Sequence, residues 1–141
     1  MRILALDHGT KRIGVALSDE MAMIAQPLEF IPAEPFSGFL DRLKEILRDR
    51  QVELILVGLP RNMDGSYGPA ALKVREFVAV LKEAITIPIE TLDERLTTVQ
   101  AHRFLTQAAV RRGARKQKVD QSAAAILLQS YLDSRGGGAM A

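Results

Sequence analysis

The sequence predicts an α/β domain built on a five-stranded mixed sheet with helices on both faces. Two short apolar runs, residues 3–7 and 12–18, are separated only by His8-Gly9-Thr10-Lys11, which is the pattern of a hairpin. A third run at 27–31 completes an initial meander. Beyond it, strand-length apolar runs alternate with stretches of helical periodicity, which is the pattern of crossover units.

Each element has its own signal. The first strand is apolar up to Asp7, and Gly9 follows it. Pro27 opens the third strand, where a missing N–H is tolerated, and Pro32 and Pro35 break the chain after it. Phe36, Phe39, Leu40, Leu43, Ile46 and Leu47 recur at helical spacing, so a helix is expected over 37–50, with Ser37 as its N-cap. Residues 54–57 form a buried strand ended by Gly58. The loop at 59–68 is dense in turn formers, and Asn62 to Gly65 reads as a turn. Pro69 suits the first turn of a helix whose inner stripe is Ala71, Val74, Val78 and Leu81. Residues 87–91 make a short strand, with Pro88 placing it at an edge or marking its start. Thr97 and Gln100 fit a capping box opening a helix with Ala101, Phe104, Leu105 and Ala108 on one side. Residues 110–117 are expected to be mobile, 119–132 to form the last helix, and 136–141 to be a disordered tail. Residues 1–135 then make one domain.

Composition narrows the function classes. There is no cysteine, so neither a disulfide framework nor a thiolate zinc site is available. Met1 and Arg2 run straight into the first strand, so no leader is expected, and no apolar run has membrane-spanning length. A cytoplasmic domain is the expectation. The net charge of +2 hides an asymmetry. Arg95, Arg103, Arg111, Arg112, Arg115, Lys116 and Lys118 fall in a stretch with no acid, and the rest of the chain is net acidic. Such a stripe is either a footprint for a polyanion or a solvated loop, and charge alone does not choose.

Three carboxylates are placed to do chemistry. Asp7 ends the first strand at the carboxyl edge of the sheet, where open α/β sheets hold their ligands. Glu94, beside Asp93, follows the last strand and should reach the same edge. Asp120 shares a helical face with Ala123, Ala124, Leu127 and Tyr131, so it points inward, where an unbalanced carboxylate is costly. Hard oxygen ligands without cysteine suit Mg²⁺ or Mn²⁺. A pair of such ions about 3.5–4 Å apart activates a water and stabilises the leaving oxygen of a phosphodiester. Taken singly, each acid also fits a plainer role, Asp93 as a helix cap and Asp120 as a dipole-stabilised ion pair. Residues 7–14 also resemble the phosphate-binding hairpin of sugar kinases and actin-like ATPases. That architecture closes two domains around its nucleotide, and this chain supplies one. Aromatic residues amount to only 5%, which argues against a non-catalytic nucleic-acid module built on base stacking.

Read together, four blocks resemble the YqgF family, also called RuvX. They are Leu6-Asp7-His8-Gly9-Thr10-Lys11-Arg12-Ile13-Gly14-Val15-Ala16 with Ser18-Asp19; Gly58-Leu59-Pro60 with Asp64-Gly65 and Gly68; Asp93-Glu94-Arg95-Leu96-Thr97-Thr98; and Lys118-Val119-Asp120 before Ala123-Ala124 and Ile126-Leu127. The resemblance implies a ribonuclease H-like fold and a nuclease with an acidic triad at Asp7, Glu94 and Asp120. Its implied substrate is the precursor of 16S ribosomal RNA, cut near its 5′ end, with a Holliday junction in DNA as the alternative. Lys11, Arg12, Arg95, Arg111, Arg112, Arg115, Lys116 and Lys118 are the expected nucleic-acid contacts. Asp93, His8 and Asn62 are candidate supports. The oligomeric state is open between monomer and homodimer.

Overall fold

The structure, a computed structural model, describes residues 1–60, 64–93 and 116–140, with the side chains of 116–122 and 136–140 outside the description. Its described elements are β1 (Arg2–His8), β2 (Arg12–Ser18), β3 (Ala25–Pro32), α1 (Phe36–Asp49), β4 (Val52–Leu59), α2 (Pro69–Ala84), β5 (Ile89–Asp93) and α3 (Lys116–Met140). The five strands form one sheet in the order β3-β2-β1-β4-β5. The first three run as an antiparallel meander, and β4 and β5 join it in parallel. The expected mixed sheet is therefore present, with helices on both faces.

Strand alternation sorts the core into two layers. Leu4, Leu6, Ile13, Val15, Ile55 and Val57 pack against Phe39, Leu43, Val74 and Leu81 from α1 and α2. Ile3, Ala5, Ala16, Leu54 and Leu56 pack on the opposite face against Ala124, Leu127, Leu128 and Leu132 of α3. Both faces of β1 are covered, which is why that strand reads as an unbroken apolar run. Arg42 ties α1 to β3 by a two-pronged pair with Glu29, at 2.9 and 2.6 Å.

Several boundaries differ from the sequence reading. The residue before α1 is Pro35, not Ser37, and no side chain caps that end. The Pro35 carbonyl accepts from the Gly38 and Phe39 amides instead. β4 extends to both sides of 54–57 because Val52 and Leu59 are also buried. Pro88 precedes β5 and leaves its carbonyl to accept from the Ile55 amide, and β5 is an edge strand, so both readings of Pro88 hold. Pro69 sits in the first turn of α2 as expected. α3 is longer than 119–132 and runs through the glycines near its end. The helix expected after Thr97 lies outside the described residues, as does the stretch expected to be mobile at 110–117 except for 116 and 117, which open α3 instead.

Candidate active site

The carboxyl edge of the sheet is built around the end of β1. Asp7 pairs with Gly14 across the antiparallel ladder, and His8 pairs with Ile13. On the other side β1 runs in parallel register with β4, Leu6 beside Val57, so the next step sets Asp7 beside Gly58. Asp7 is partly buried and shares the alternation of Ile3 and Ala5, which puts it on the face that α3 covers. Glycines thus flank it on both neighbouring strands. At Gly14 the absence of a side chain matters, since a Cβ there would press on the Phe30 ring at 3.3 Å and lie 3.7 Å from the Asp7 Cβ. The β1–β2 turn closes tightly, since a Cβ on Gly9 would overlap the carbonyl oxygen of Arg12.

Arg12 lies on the same face, two residues before Gly14 in β2. Its guanidinium stands 4.4 Å over the ring of Phe30, which pairs with Gly14 from β3. The ring holds the cation at the edge of the sheet, on the face that carries Asp7. Lys11 is exposed in the turn, and its carbonyl accepts from the Ala33 amide at 2.9 Å.

α3 approaches this face from the far end. The Gln129 side chain accepts from the Ala25 amide at 2.9 Å and donates to the Met23 carbonyl at 3.1 Å. Ala25 pairs with Ser18, whose hydroxyl accepts from the Ile3 amide at 2.9 Å. Gln129 is therefore anchored at the amino-terminal end of β1. The nine residues of helix back to position 120 span about 13 Å. The four residues of strand from Ile3 to Asp7 span the same distance, about 13 Å.

Two candidate supports, His8 and Asp93, lie on the other face of the sheet from Asp7. His8 follows Asp7 in the strand and faces the other way, with its ring 4.6 Å from that of Phe77 in the α1–α2 layer. Burial, and secondarily the nearby Lys73 ammonium, holds its pKa below the ordinary histidine value. Along β5, Ile89 belongs to the α1–α2 layer and Leu92 to the α3 layer, so alternation gives Asp93, the last residue of the strand, to the face opposite Asp7. Glu94, Arg95, Asn62, Arg111, Arg112 and Arg115 lie outside the described residues, as do the side chains of Lys116, Lys118 and Asp120. Among the described residues no three acidic or histidine side chains cluster as metal ligands. Sequence reasoning missed Phe30 and Lys73. Their signal was available, Phe30 as an aromatic in the edge strand and Lys73 as a cation near the start of a helix that faces the same edge.

A meander followed by parallel crossover strands, with a carboxylate at the end of the central β1, defines the ribonuclease H-like class. Two solved structures share this fold over nearly their whole length. One is Thermus thermophilus RuvC in complex with a Holliday junction substrate, with a TM-score of 0.55, 18% identity, and 97% of this chain and 96% of that chain covered. The other is the Fowlpox virus resolvase in complex with Holliday junction DNA, with a TM-score of 0.56, 11% identity, and 96% and 99% covered.

The model of the RuvX family, described as Holliday junction resolvase, matches residues 1–134, and this chain belongs to that family. It is by membership a nuclease, a hydrolase of phosphodiester bonds. A relative from Desulforamulus reducens, named "Putative pre-16S rRNA nuclease", is 50% identical over 134 residues, covering 95% of this chain and 98% of the relative. One of the same name from Pelotomaculum thermopropionicum is 47% identical over 137 residues, covering 96% and 89%. No helix among the described residues is long and apolar enough to cross a membrane.

Proposed function

We propose that this chain trims the 5′ end of the 16S ribosomal RNA precursor in the cytoplasm, using Asp7, Glu94 and Asp120 to hold Mg²⁺ or Mn²⁺. The observation that carries the reading is the setting of Asp7, a partly buried carboxylate at the carboxyl edge with glycines on both sides. The donor chemistry fits the metal, since carboxylate oxygens without cysteine suit hard divalent ions. The names of the closely similar relatives support the RNA substrate. The length of α3 between Gln129 and position 120 supports Asp120 as a partner of Asp7.

Asp7, Glu94 and Asp120 would hold the metal, which would supply activation of a water and charge neutralisation at the leaving oxygen. The chain's own residues do the rest. The β1–β2 ladder fixes the Asp7 backbone at the edge of the sheet. Arg12, held over Phe30, orients a backbone phosphate on the Asp7 face. Lys11, Arg95, Arg111, Arg112, Arg115, Lys116 and Lys118 add backbone contacts that draw the polyanion in. Trimming one strand requires only a monomer, whereas paired cuts in a junction would require a homodimer.

The test offers the protein, with Mg²⁺ or Mn²⁺, a 5′-extended ribosomal RNA precursor and a four-way DNA junction side by side. RNA cleavage that disappears in Asp7→Asn supports the reading. Paired symmetric cuts in the junction would replace it with the resolvase reading, and cleavage that survives Asp7→Asn removes the metal site.

A further inference from the structure

Two recesses open on the α2 side of the carboxyl edge and share a wall formed by His8, Thr10 and Lys73. The smaller, about 260 Å³, also reaches Asp7 and Gly58. The larger, about 550 Å³, lies between the β1–β2 turn, the start of α1 and α2. Its volume is typical of small-ligand sites, which run from about 300 to 1,000 Å³.

The larger recess has an aromatic floor. The His8 ring packs on Phe77, and Phe36 meets Phe77 edge-on at 6.4 Å and 89°. Val80, 45% exposed, forms an apolar outer wall. Glu34 and Glu76 stand exposed at the rim. Two carboxylates repel a phosphate, so the recess does not suit the backbone itself. They do suit exocyclic amines and ring N–H groups, while the rings below suit a flat π-face. A nucleobase carries both.

Asp7 and His8 face opposite sides of the end of β1. A single strand with one phosphate at Asp7 therefore meets the His8 side as it crosses the edge. We propose that the recess formed by His8, Phe36, Phe77 and Val80 is a base-binding subsite, taking one unstacked nucleobase of a single strand whose neighbouring phosphate lies at Asp7. Lys73, on the wall between the two recesses, contacts the phosphate that joins them. The inference rests on the reading of Asp7 as the cleavage centre and adds to it a single-stranded substrate with a preferred base. Bases bearing an amine, adenine, cytosine and guanine, are favoured over uracil because only they donate from an exocyclic group to Glu34 or Glu76.

The test uses the full chain carrying Asp7→Asn, so that RNA stays uncut, and a set of short single-stranded RNAs of one sequence, each lacking one base. Binding is read by fluorescence anisotropy. One position should emerge at which base removal weakens binding at least about fivefold, the low end for a base stacked on aromatic side chains. Adding Val80→Trp, which fills the recess from an exposed position, should weaken intact RNA similarly and leave the RNA lacking that base unaffected. Equal affinity across the whole set, no binding of any RNA, or a Val80→Trp loss that is the same with and without the base overturns the subsite. Cleavage by the unsubstituted chain is measured separately. Cutting with a flat base scan keeps the nuclease and removes the subsite, whereas a base-dependent position without cutting does the reverse.

Discussion

Asp7 and Gly14 stand opposite one another in the β1–β2 ladder, and a Cβ placed on Gly14 would lie 3.7 Å from that of Asp7. The same atom would come within 3.3 Å of Cε1 of Phe30, so the ring under Arg12 would have to move by a few tenths of an ångström. Gly14 is thus a spacer between the carboxylate and the stacked cation. Alanine in a strand is otherwise favoured over glycine by roughly 0.5–1 kcal/mol. Gly14→Ala is therefore expected to change thermal stability little, yet lower kcat/KM. Gly14→Val, which adds bulk toward Asp7, should lower it further. Parallel losses of Tm and activity would mean that Gly14 serves the fold alone.

Much of this arrangement is legible in the sequence, and the part that is not has a physical cause. Apolar runs bounded by Gly and Pro mark all five strands, and Pro69 marks a helix start, because those signals are local. Alternation also says that Asp7 and His8 face opposite ways. It does not say which face receives which helix, since that depends on contacts between distant segments. His8 was a candidate support on proximity in sequence; its ring packs on Phe77, and it lines the smaller recess together with Asp7. Asp93, at the end of β5, falls by alternation on the face opposite Asp7, while Glu94, beside which it was a candidate support, lies outside the described residues. Ser37 was a reasonable cap by residue type, but the helix begins one residue earlier, at Phe36, with the Pro35 carbonyl taking the first amides.

Arg12 separates charge from shape. Its guanidinium stands 4.4 Å over the Phe30 ring, and lysine keeps the charge without the guanidinium's planar face. Arg12→Ala should raise KM for RNA and reduce the slope of log K against log salt by about 0.7, the share of one single-strand phosphate contact. Arg12→Lys should restore the slope while leaving KM raised. Full recovery by lysine would show that the stack on Phe30 has no part in binding.

The basic segment makes a larger prediction of the same kind. Neutralising Arg111, Arg112, Arg115 and Lys116 together removes up to four phosphate contacts, so the salt slope should fall by as much as about 3. Binding should weaken most at low salt, because released counterions drive it. An unchanged slope would identify the segment as a solvated loop.

His8 gives the fold a pH dependence whose sign is fixed by its burial. Burial and the neighbouring Lys73 keep it neutral in the folded chain, whereas in the unfolded chain it takes up a proton near 6.5. As pH falls below that value the unfolded state binds more protons, so stability is complete above 6.5 and declines as pH falls through the lower folded pKa. His8→Phe keeps a ring against Phe77 and removes the titration. Its Tm should therefore fall less than that of the unsubstituted chain as the pH is lowered from neutrality. Asp19, held by the amides of Ile24 and Met23, and Glu29, held by Arg42, also have lowered pKa values, but their losses begin near the carboxylate values of 3.8 and 4.5. The His8 effect is thus read in the window between neutrality and those values. His102, the other histidine, is present in both proteins, so the difference between their Tm profiles isolates His8. Superimposable profiles across that window would mean that the folded chain accommodates the protonated ring on Phe77 without cost.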